Sequence, residues 1–259
     1  MRIPFMHPAL DVRCMADEVS LSSGRGGTPL QMRSERQAAG APAWAGMLAV
    51  LPGLLARGPR GARRVRVLLA DRFVRYCLIP REAGLSRADE VAAWARHAFR
   101  SEYGVAVDAW RVCVDTDPAG TSVAALIEAE LMHGIEDACA GAGLRLASLA
   151  PHFGAAQAGL ARRIRERDTW FAVLEAGHLA AALRAGGTWR HVLTARLGDS
   201  GAAPDTAAVV AALLAQSLGV AAAREVRTLH LATAPRVAAV THPPGWTLHR
   251  WVDPCALPA

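Results

Sequence analysis

Residues 169–197, TWFAVLEAGHLAAALRAGGTWRHVLTARL, decide the fold prediction. Two glycine-containing turns, Glu175-Ala176-Gly177 and Gly186-Gly187, divide this stretch into three largely apolar runs. Short apolar runs separated by glycine turns are typical of strands joined by hairpins. The stretch therefore predicts a three-stranded meander.

The first of these turns is a candidate phosphate-binding feature. Glycine lets backbone N–H groups approach an anion closely, and a carboxylate can hold Mg²⁺ or orient water. Glu175 and Gly177 are therefore the candidate nucleotide-contacting residues. The alternative is an ordinary hairpin turn without a ligand.

Composition excludes several kinds of chemistry. The chain has 259 residues, of which 52% are hydrophobic, enough for one large domain or two small ones. It contains no lysine, so a P-loop lysine and a Schiff-base lysine are both excluded. Its five cysteines show no C-x-x-C spacing, which favours a reducing compartment over a disulfide framework or a zinc site. No nucleophile–base pattern is visible, so we expect neither catalytic residues nor metal ligands.

The net charge of +6 comes from arginines, several of which lie in two runs, at residues 57–64 and 162–167. Such runs occur on solvated surfaces, on membrane-facing surfaces and in nucleic-acid sites. Neither run has interleaved aromatic residues for base stacking, which disfavours nucleic acid. The uncharged stretch 41–56 is too short for a membrane span and contains Pro52. The stretch 206–223 is expected to be a buried alanine-rich helix, with a membrane span as the alternative, and no signal peptide is visible.

Hairpin strands followed by alternating helices and strands occur twice along the chain, which predicts an α/β fold with mixed sheets. The charged stretch 162–168 separates the two occurrences, so we expect domains at 1–163 and 164–259. Within the predicted helices, four residues lie on apolar stripes and are expected in the core: Trp94, Phe99, Leu131 and Ile135.

One region resembles a known family. Residues 65–80, VRVLLADRFVRYCLIP, contain an L-x-x-x-F-V-R-Y-x-x-x-P strand, and the following helix ends in F-x-x-x-Y-G at Phe99, Tyr103 and Gly104. These features resemble the actin-like proteins of type IV pilus and type II secretion machines, PilM and the cytoplasmic part of GspL. The resemblance is strongest from residue 65 to residue 153.

The resemblance implies a two-lobed actin-like, ribonuclease H-like fold with a nucleotide cleft. The first lobe, 1–163, would contain an inserted helix–strand subdomain, and 164–259 would form a smaller second lobe. Two features depart from the family. Its N-terminal Asp-x-Gly turn has no match, Asp11-Val12-Arg13 being nearest, and Glu175 replaces the second aspartate. We therefore expect a non-catalytic protein without a cofactor. An ATP·Mg²⁺-binding protein with weak ATPase activity is the alternative.

The resemblance also implies a partner and a location. The partner would be the short cytosolic tail of an inner-membrane pilus or secretion assembly protein. The chain would be cytoplasmic and peripheral to the inner membrane, with homo-oligomerisation left open. The expected partner-binding residues lie on edge strands near 73–79 and 105–114: Phe73, Arg75, Tyr76 and Arg111. A basic nucleic-acid-binding module is a further alternative.

Overall fold

The computed structural model describes residues 9–23, 29–34, 40–59, 61–80, 87–104, 107–115, 120–197, 206–233 and 243–255. The strands are β1 Ala9–Cys14, β2 Glu18–Ser22, β3 Leu30–Arg33, β4 Arg64–Leu69, β5 Val74–Ile79, β6 Trp110–Asp115, β7 Ser122–Glu128, β8 Arg145–Pro151, β9 Thr169–Glu175, β10 His178–Ala185, β11 Thr188–Arg196, β12 Thr228–Thr233 and β13 Thr247–Val252. The helices are α1 Ala45–Ala56, α2 Ala88–Tyr103, α3 Ala129–Gly141, α4 His152–Leu160, α5 Thr206–Gln216 and α6 Ala221–Glu225.

Two five-stranded sheets share one topology. The first has the order β3-β2-β1-β4-β8 and the second the order β11-β10-β9-β12-β13. In each sheet the first three strands in sequence form an antiparallel meander. The fourth strand pairs parallel with the first, and the fifth pairs parallel with the fourth. The α/β architecture with mixed sheets and the repeated order of elements are therefore confirmed.

The described structure forms two compact units. One comprises Met1–Phe73, Glu128–Pro151 and Leu257–Ala259, and the other comprises Val74–Ile127 and His152–Ala256. The predicted lobes, 1–163 and 164–259, are continuous in sequence, whereas these units are not. Parallel pairing of β8 with β4 brings the residues after α3 back to the first sheet, and this long-range pairing makes the units discontinuous.

The first unit has a core between its sheet and two helices. Along β1, every second side chain is buried, as expected for a strand with one face on the core. Helix α1 packs against α3, and Leu48 lies so close to Gly134 that a Cβ at this glycine would clash with the leucine. Pro52 lies inside helix α1, which continues four residues beyond it.

The second unit contains the second five-stranded sheet. In β9 the first six residues are buried, and in β12 the last five are buried. Continuous burial is characteristic of central strands covered on both faces. Helix α5 covers one face with three fully or largely buried residues, Val209, Val210 and Leu213. The meander predicted for residues 169–197 is confirmed as β9, β10 and β11.

A three-stranded sheet, in the order β5-β7-β6, also belongs to the second unit, and α2 packs on it. Its core includes Phe99, which is fully buried, and Trp94, which is partly buried. In the other unit, Leu131 and Ile135 of α3 are fully buried. The core prediction is therefore confirmed for three of its four residues and in part for Trp94.

We predict that Leu131→Ala lowers the free energy of unfolding by about 2–5 kcal/mol, because it leaves a cavity in a packed core. Denaturant titration followed by circular dichroism measures this loss. Leu218→Ala is the matched control, because Leu218 is 69% exposed and the same truncation there leaves no cavity. A loss at Leu131 no larger than that at Leu218 would show that α3 is not packed as described.

Candidate functional site

The predicted phosphate-binding turn is present as a tight hairpin. Strand β9 ends at Glu175, and β10 begins at His178. Gly177 has a φ angle of 69°, a left-handed conformation that glycine adopts without strain. Its carbonyl oxygen accepts a hydrogen bond of 2.8 Å from the backbone N–H of Leu197. Glycine at this position is thus explained by the turn geometry.

The carboxylate of Glu175 is engaged by a histidine. Its Oε1 atom lies 2.6 Å from Nδ1 of His152, and the other ring nitrogen, Nε2, lies 2.9 Å from Oδ2 of Asp253. All three side chains are nearly inaccessible, with exposed fractions of 4% for His152, 8% for Glu175 and 3% for Asp253. One imidazole therefore bridges two buried carboxylates, and we call this arrangement the His152 bridge.

The topology of the second sheet brings these residues together. Strands β9, β12 and β13 are parallel, so their carboxyl ends lie at the same end of the sheet. There Thr233 is paired with Leu174 on one side and with Val252 on the other. Glu175 and Asp253 each follow the last paired residue of their strand at this edge. The Asp253 backbone N–H donates to the Thr233 carbonyl over 2.9 Å, which fixes the chain after β13. His152 is the first residue of α4.

Burial by itself lowers the pKa of the His152 imidazole, but hydrogen bonds and charge attraction from Asp253 and Glu175 outweigh it and raise this pKa to about 10. The ring is therefore an imidazolium at neutral pH and donates one N–H to each carboxylate.

The hydrogen bond to His152 reduces the capacity of Glu175 to hold Mg²⁺. A metal-holding carboxylate presents free oxygen lone pairs to the ion or to its water shell. Glu175 instead accepts a short hydrogen bond from a cation and is almost fully buried. Donor atoms of His152, Asp253 and Cys255 lie within 4.8 Å of one another, but both imidazole nitrogens are already hydrogen-bonded to carboxylates.

The equivalent turn in the first sheet, between β1 and β2, lacks the family's glycine. It consists of Met15, Ala16 and Asp17. The sequence proposed as nearest to the Asp-x-Gly motif, Asp11-Val12-Arg13, lies inside β1 and forms no turn. The side chain of Asp11 accepts two hydrogen bonds, of 2.7 and 2.9 Å, from Arg66 on the neighbouring parallel strand. Asp11 therefore has a cross-strand role.

The four expected partner-binding residues divide by exposure. Phe73 and Tyr76 are buried, with exposed fractions of 6% and 5%, whereas Arg75 and Arg111 are exposed. The Tyr76 ring packs edge-on against Phe153, with 5.6 Å between ring centroids. Burial confines both aromatic residues to supporting the interior. The exposed arginines lie on β5 and β6, the outer strands of the three-stranded sheet.

Arg75 is held by aromatic rings. Its guanidinium lies 5.3 Å from the ring centroid of Tyr103 and 5.0 Å from that of Trp110. The Tyr103 hydroxyl donates to the Tyr76 carbonyl over 2.8 Å. Helix α2 is thus tied to both outer strands, and Arg75 is pre-organised on the surface.

A second histidine cluster lies on the second sheet. His230 and His249 are register partners on β12 and β13, and their rings stack with centroids 4.6 Å apart. Trp251 Nε1–H donates to His230 Nδ1 over 3.0 Å, and Glu166 Oε2 lies 3.2 Å from His230 Nε2. Because the indole N–H requires a lone pair on Nδ1, the neutral His230 carries its proton on Nε2, which disfavours a metal there.

His178 and His191 lie on neighbouring strands, β10 and β11, but they are not register partners. His178 is paired with Arg196, and His191 is paired with Leu183. His191 is close to the Gln216 carbonyl, 3.2 Å from its Nε2, and burial lowers the pKa of this imidazole.

No family model and no curated protein sequence matches this chain. Solved structures do. The cytoplasmic domain of EpsL, an inner-membrane component of the type II secretion system of Vibrio cholerae, is 13% identical, with a TM-score of 0.57 over 93% of this chain and 88% of that chain. A protein of unknown function from Bacteroides thetaiotaomicron, with an actin-like ATPase fold, is 11% identical, with a TM-score of 0.54 over 92% and 87% of the two chains.

The chain has the actin-like ATPase fold. A third structure of this kind, from a PilM–PilN type IV pilus biogenesis complex, is 19% identical, with a TM-score of 0.52 over 85% of this chain and 69% of that chain. The resemblance to secretion and pilus proteins is thus confirmed in structure. At sequence identities this low, structural similarity establishes the fold alone, and activity and partners must be argued from the site.

Within the described residues, no helix combines the length and the apolar character that crossing a membrane requires. Helices α1 and α5 lie within the two uncharged stretches, and each buries an apolar face.

The raised pKa of His152 predicts a pH dependence of stability. Because the folded-state pKa of about 10 exceeds the ordinary value of 6.5, the contribution is complete below pH 6.5 and is lost as the pH rises towards 10. The slope is at most about 1.4 kcal/mol per pH unit, since one proton is involved. Denaturant titrations between pH 6 and pH 10 measure it.

Glu175→Gln should weaken this dependence and move it to lower pH, because His152 then loses one of the carboxylates that raise its pKa. His97→Gln is the control, since His97 is exposed on α2 and lies outside the bridge. A Glu175→Gln profile that superimposes on the unaltered protein would contradict a protonated His152 bridge.

Proposed function

We propose that this protein is a non-catalytic scaffold at the cytoplasmic face of an inner membrane, where it binds the cytosolic tail of a type IV pilus or type II secretion assembly protein. The His152 bridge is the observation that supports a non-catalytic role, because Glu175, the carboxylate of the predicted phosphate-binding turn, is hydrogen-bonded to a buried imidazolium. The structural likeness to EpsL and to the PilM–PilN complex supports the scaffold part.

Phosphoryl transfer requires a phosphate cradle, a metal-holding carboxylate and a positioned water at the same time. In the second sheet the carboxylate of Glu175 is engaged, and in the first sheet the turn of Met15, Ala16 and Asp17 has no glycine to admit a phosphate closely. No lysine in the sequence can compensate. Each of these facts lowers nucleotide affinity as well as turnover.

We therefore predict no Mg²⁺-dependent ATP turnover above the buffer rate and no saturable binding of a fluorescent ATP analogue. Phosphate release and fluorescence titration measure these two quantities. Saturable binding with Mg²⁺-dependent turnover, both lost in Glu175→Gln, would contradict the proposal and establish the alternative, an ATP-binding protein with weak ATPase activity.

The three-stranded sheet offers a surface for an extended peptide. Strand β6 is hydrogen-bonded to β7 on one side, and in the described part of the chain no strand lies on its other side. The outer edge of β5, by contrast, lies near β11. An open strand edge provides main-chain hydrogen bonds, and adjoining side chains provide specificity. Arg111 on β6 and Arg75 beside Trp110 add positive charge for acidic residues flanking a peptide.

We predict that cytosolic tails of membrane proteins encoded near this chain bind it with micromolar or better affinity, and that Arg111→Glu weakens the binding about tenfold or more by reversing a charge beside the peptide. Fluorescence anisotropy with labelled tail peptides measures the affinity. Arg57→Glu, an equal charge reversal at an exposed position after α1, is the control. If no tail binds, or if both variants weaken binding equally, the proposed surface is wrong.

The nucleic-acid alternative gives a different result. A basic module would bind random duplex DNA with an affinity that falls steeply with salt concentration.

We propose that the protein is cytoplasmic and peripheral to the membrane. Sedimentation measures whether it self-associates.

A further inference from the structure

We propose that the end of the second sheet opposite the His152 bridge is a docking surface for anionic lipid headgroups. The proposal deepens the scaffold function above, because it rests on the proposed location at a membrane and assigns a surface to it. The surface, which we call the arginine–tryptophan rim, consists of Arg167, Arg184, Trp189, Arg190, Arg227 and Trp246.

Strand register places these residues at one end of the sheet. Strands β9, β12 and β13 run parallel and begin there, β10 ends there, and β11 begins there. Arg167 and Arg227 precede β9 and β12, and Trp246 precedes β13. Five neighbouring strands spaced about 4.8 Å apart span roughly 19 Å, so the rim is a row across the whole width of the sheet.

Three of the arginines converge on the hairpin between β10 and β11. The Arg184 Nε–H donates to the Gly187 carbonyl over 2.9 Å, and Arg190 Nε–H donates to the Ala185 carbonyl over 3.4 Å. Arg167 lies against Gly187, within about 3.3 Å of the position a Cβ would take. In Arg184 and Arg190 the Nε–H group is hydrogen-bonded to the hairpin, which keeps both guanidinium groups close to the turn. Each guanidinium has further N–H donors for an external anion.

Both tryptophans are covered by arginines. The Arg227 guanidinium lies 5.4 Å from the ring centroid of Trp246, and that of Arg184 lies 5.9 Å from the ring centroid of Trp189. Trp246 also packs against the core of the second sheet. A half-buried indole beside a guanidinium suits the boundary between water and lipid headgroups. One face of each indole is thus occupied by a guanidinium, which leaves less ring surface for stacking on bases of single-stranded nucleic acid.

The balance of charge at this end is positive. The nearby acidic residues are Glu166, Asp168 and Glu225. Asp168 accepts a hydrogen bond of 2.6 Å from the Gly186 N–H, and Glu166 lies 3.2 Å from His230, so these two carboxylates have partners within the protein. The exposed turns at this end carry Gly186 and Pro244-Gly245, which add no charge.

Arginines near an anionic membrane each strengthen binding about five-fold, and charges a few ångströms apart act together because the Debye length at physiological salt is about 8 Å. A row of four arginines is therefore expected to give salt-sensitive binding to anionic vesicles and little binding to neutral ones.

The test is co-sedimentation of the full chain with vesicles of phosphatidylcholine alone or of phosphatidylcholine with phosphatidylglycerol. The variant Arg167→Gln/Arg190→Gln/Arg227→Gln removes three exposed rim charges. The control Arg57→Gln/Arg63→Gln/Arg64→Gln removes three exposed charges elsewhere. We expect binding to anionic vesicles only, weakened at least tenfold in the rim variant and less than threefold in the control.

Equal weakening of both variants, or no binding to anionic vesicles, would overturn the proposal. Binding to random duplex DNA in place of vesicles, lost in the rim variant, would overturn it in favour of nucleic acid. Circular dichroism of both variants checks that they fold. Tail-peptide affinity is measured separately on the unaltered protein and on both variants. If the unaltered protein binds a tail peptide but no anionic vesicles, the rim proposal is refuted and the scaffold proposal stands.

Discussion

A buried imidazolium between two carboxylates is the constraint on which the second sheet depends. His152 joins residues 23 and 101 positions away in sequence, Glu175 and Asp253, at the edge where three parallel strands end. Removing such charges from water costs several kcal/mol per ion, and the cost is offset only when every charge is paired and hydrogen-bonded. The His152 bridge meets this condition, and it holds the start of α4, the β9–β10 hairpin and the end of β13 in one arrangement.

The bridge also gives the residues of the predicted phosphate-binding turn a structural role. Gly177 has a left-handed conformation that the tight hairpin requires. Glu175, two residues before it, hydrogen-bonds to His152. Under the proposed function, this turn has the sequence pattern of a nucleotide site and serves the stability of the sheet.

Local patterns in the sequence predicted most elements, and long-range pairing accounts for what they missed. Glycine turns and apolar runs were enough for the β9–β11 meander, and helical stripes were enough for Phe99, Leu131 and Ile135. The discontinuous units were not predictable, because the return of β8 to β4 depends on contacts about 80 residues apart. The glycine turn identified Glu175 as a candidate site residue. No sequence pattern identified His152, which follows Pro151, or Asp253, which follows the last strand. The proximity of Glu175 and Asp253 follows from the shared carboxyl end of the parallel strands β9, β12 and β13, whereas the position of His152 at the start of α4 does not.

The protonation of His152 tests this account most directly. Long-range ¹H–¹⁵N spectra resolve the two imidazole nitrogens of a histidine and report whether each carries a proton. At pH 8, with and without Mg²⁺ and ATP, the account predicts that both His152 nitrogens are protonated and that neither resonance changes when nucleotide is added. A neutral ring at pH 8, or resonances that shift and saturate with Mg²⁺–ATP, would contradict it.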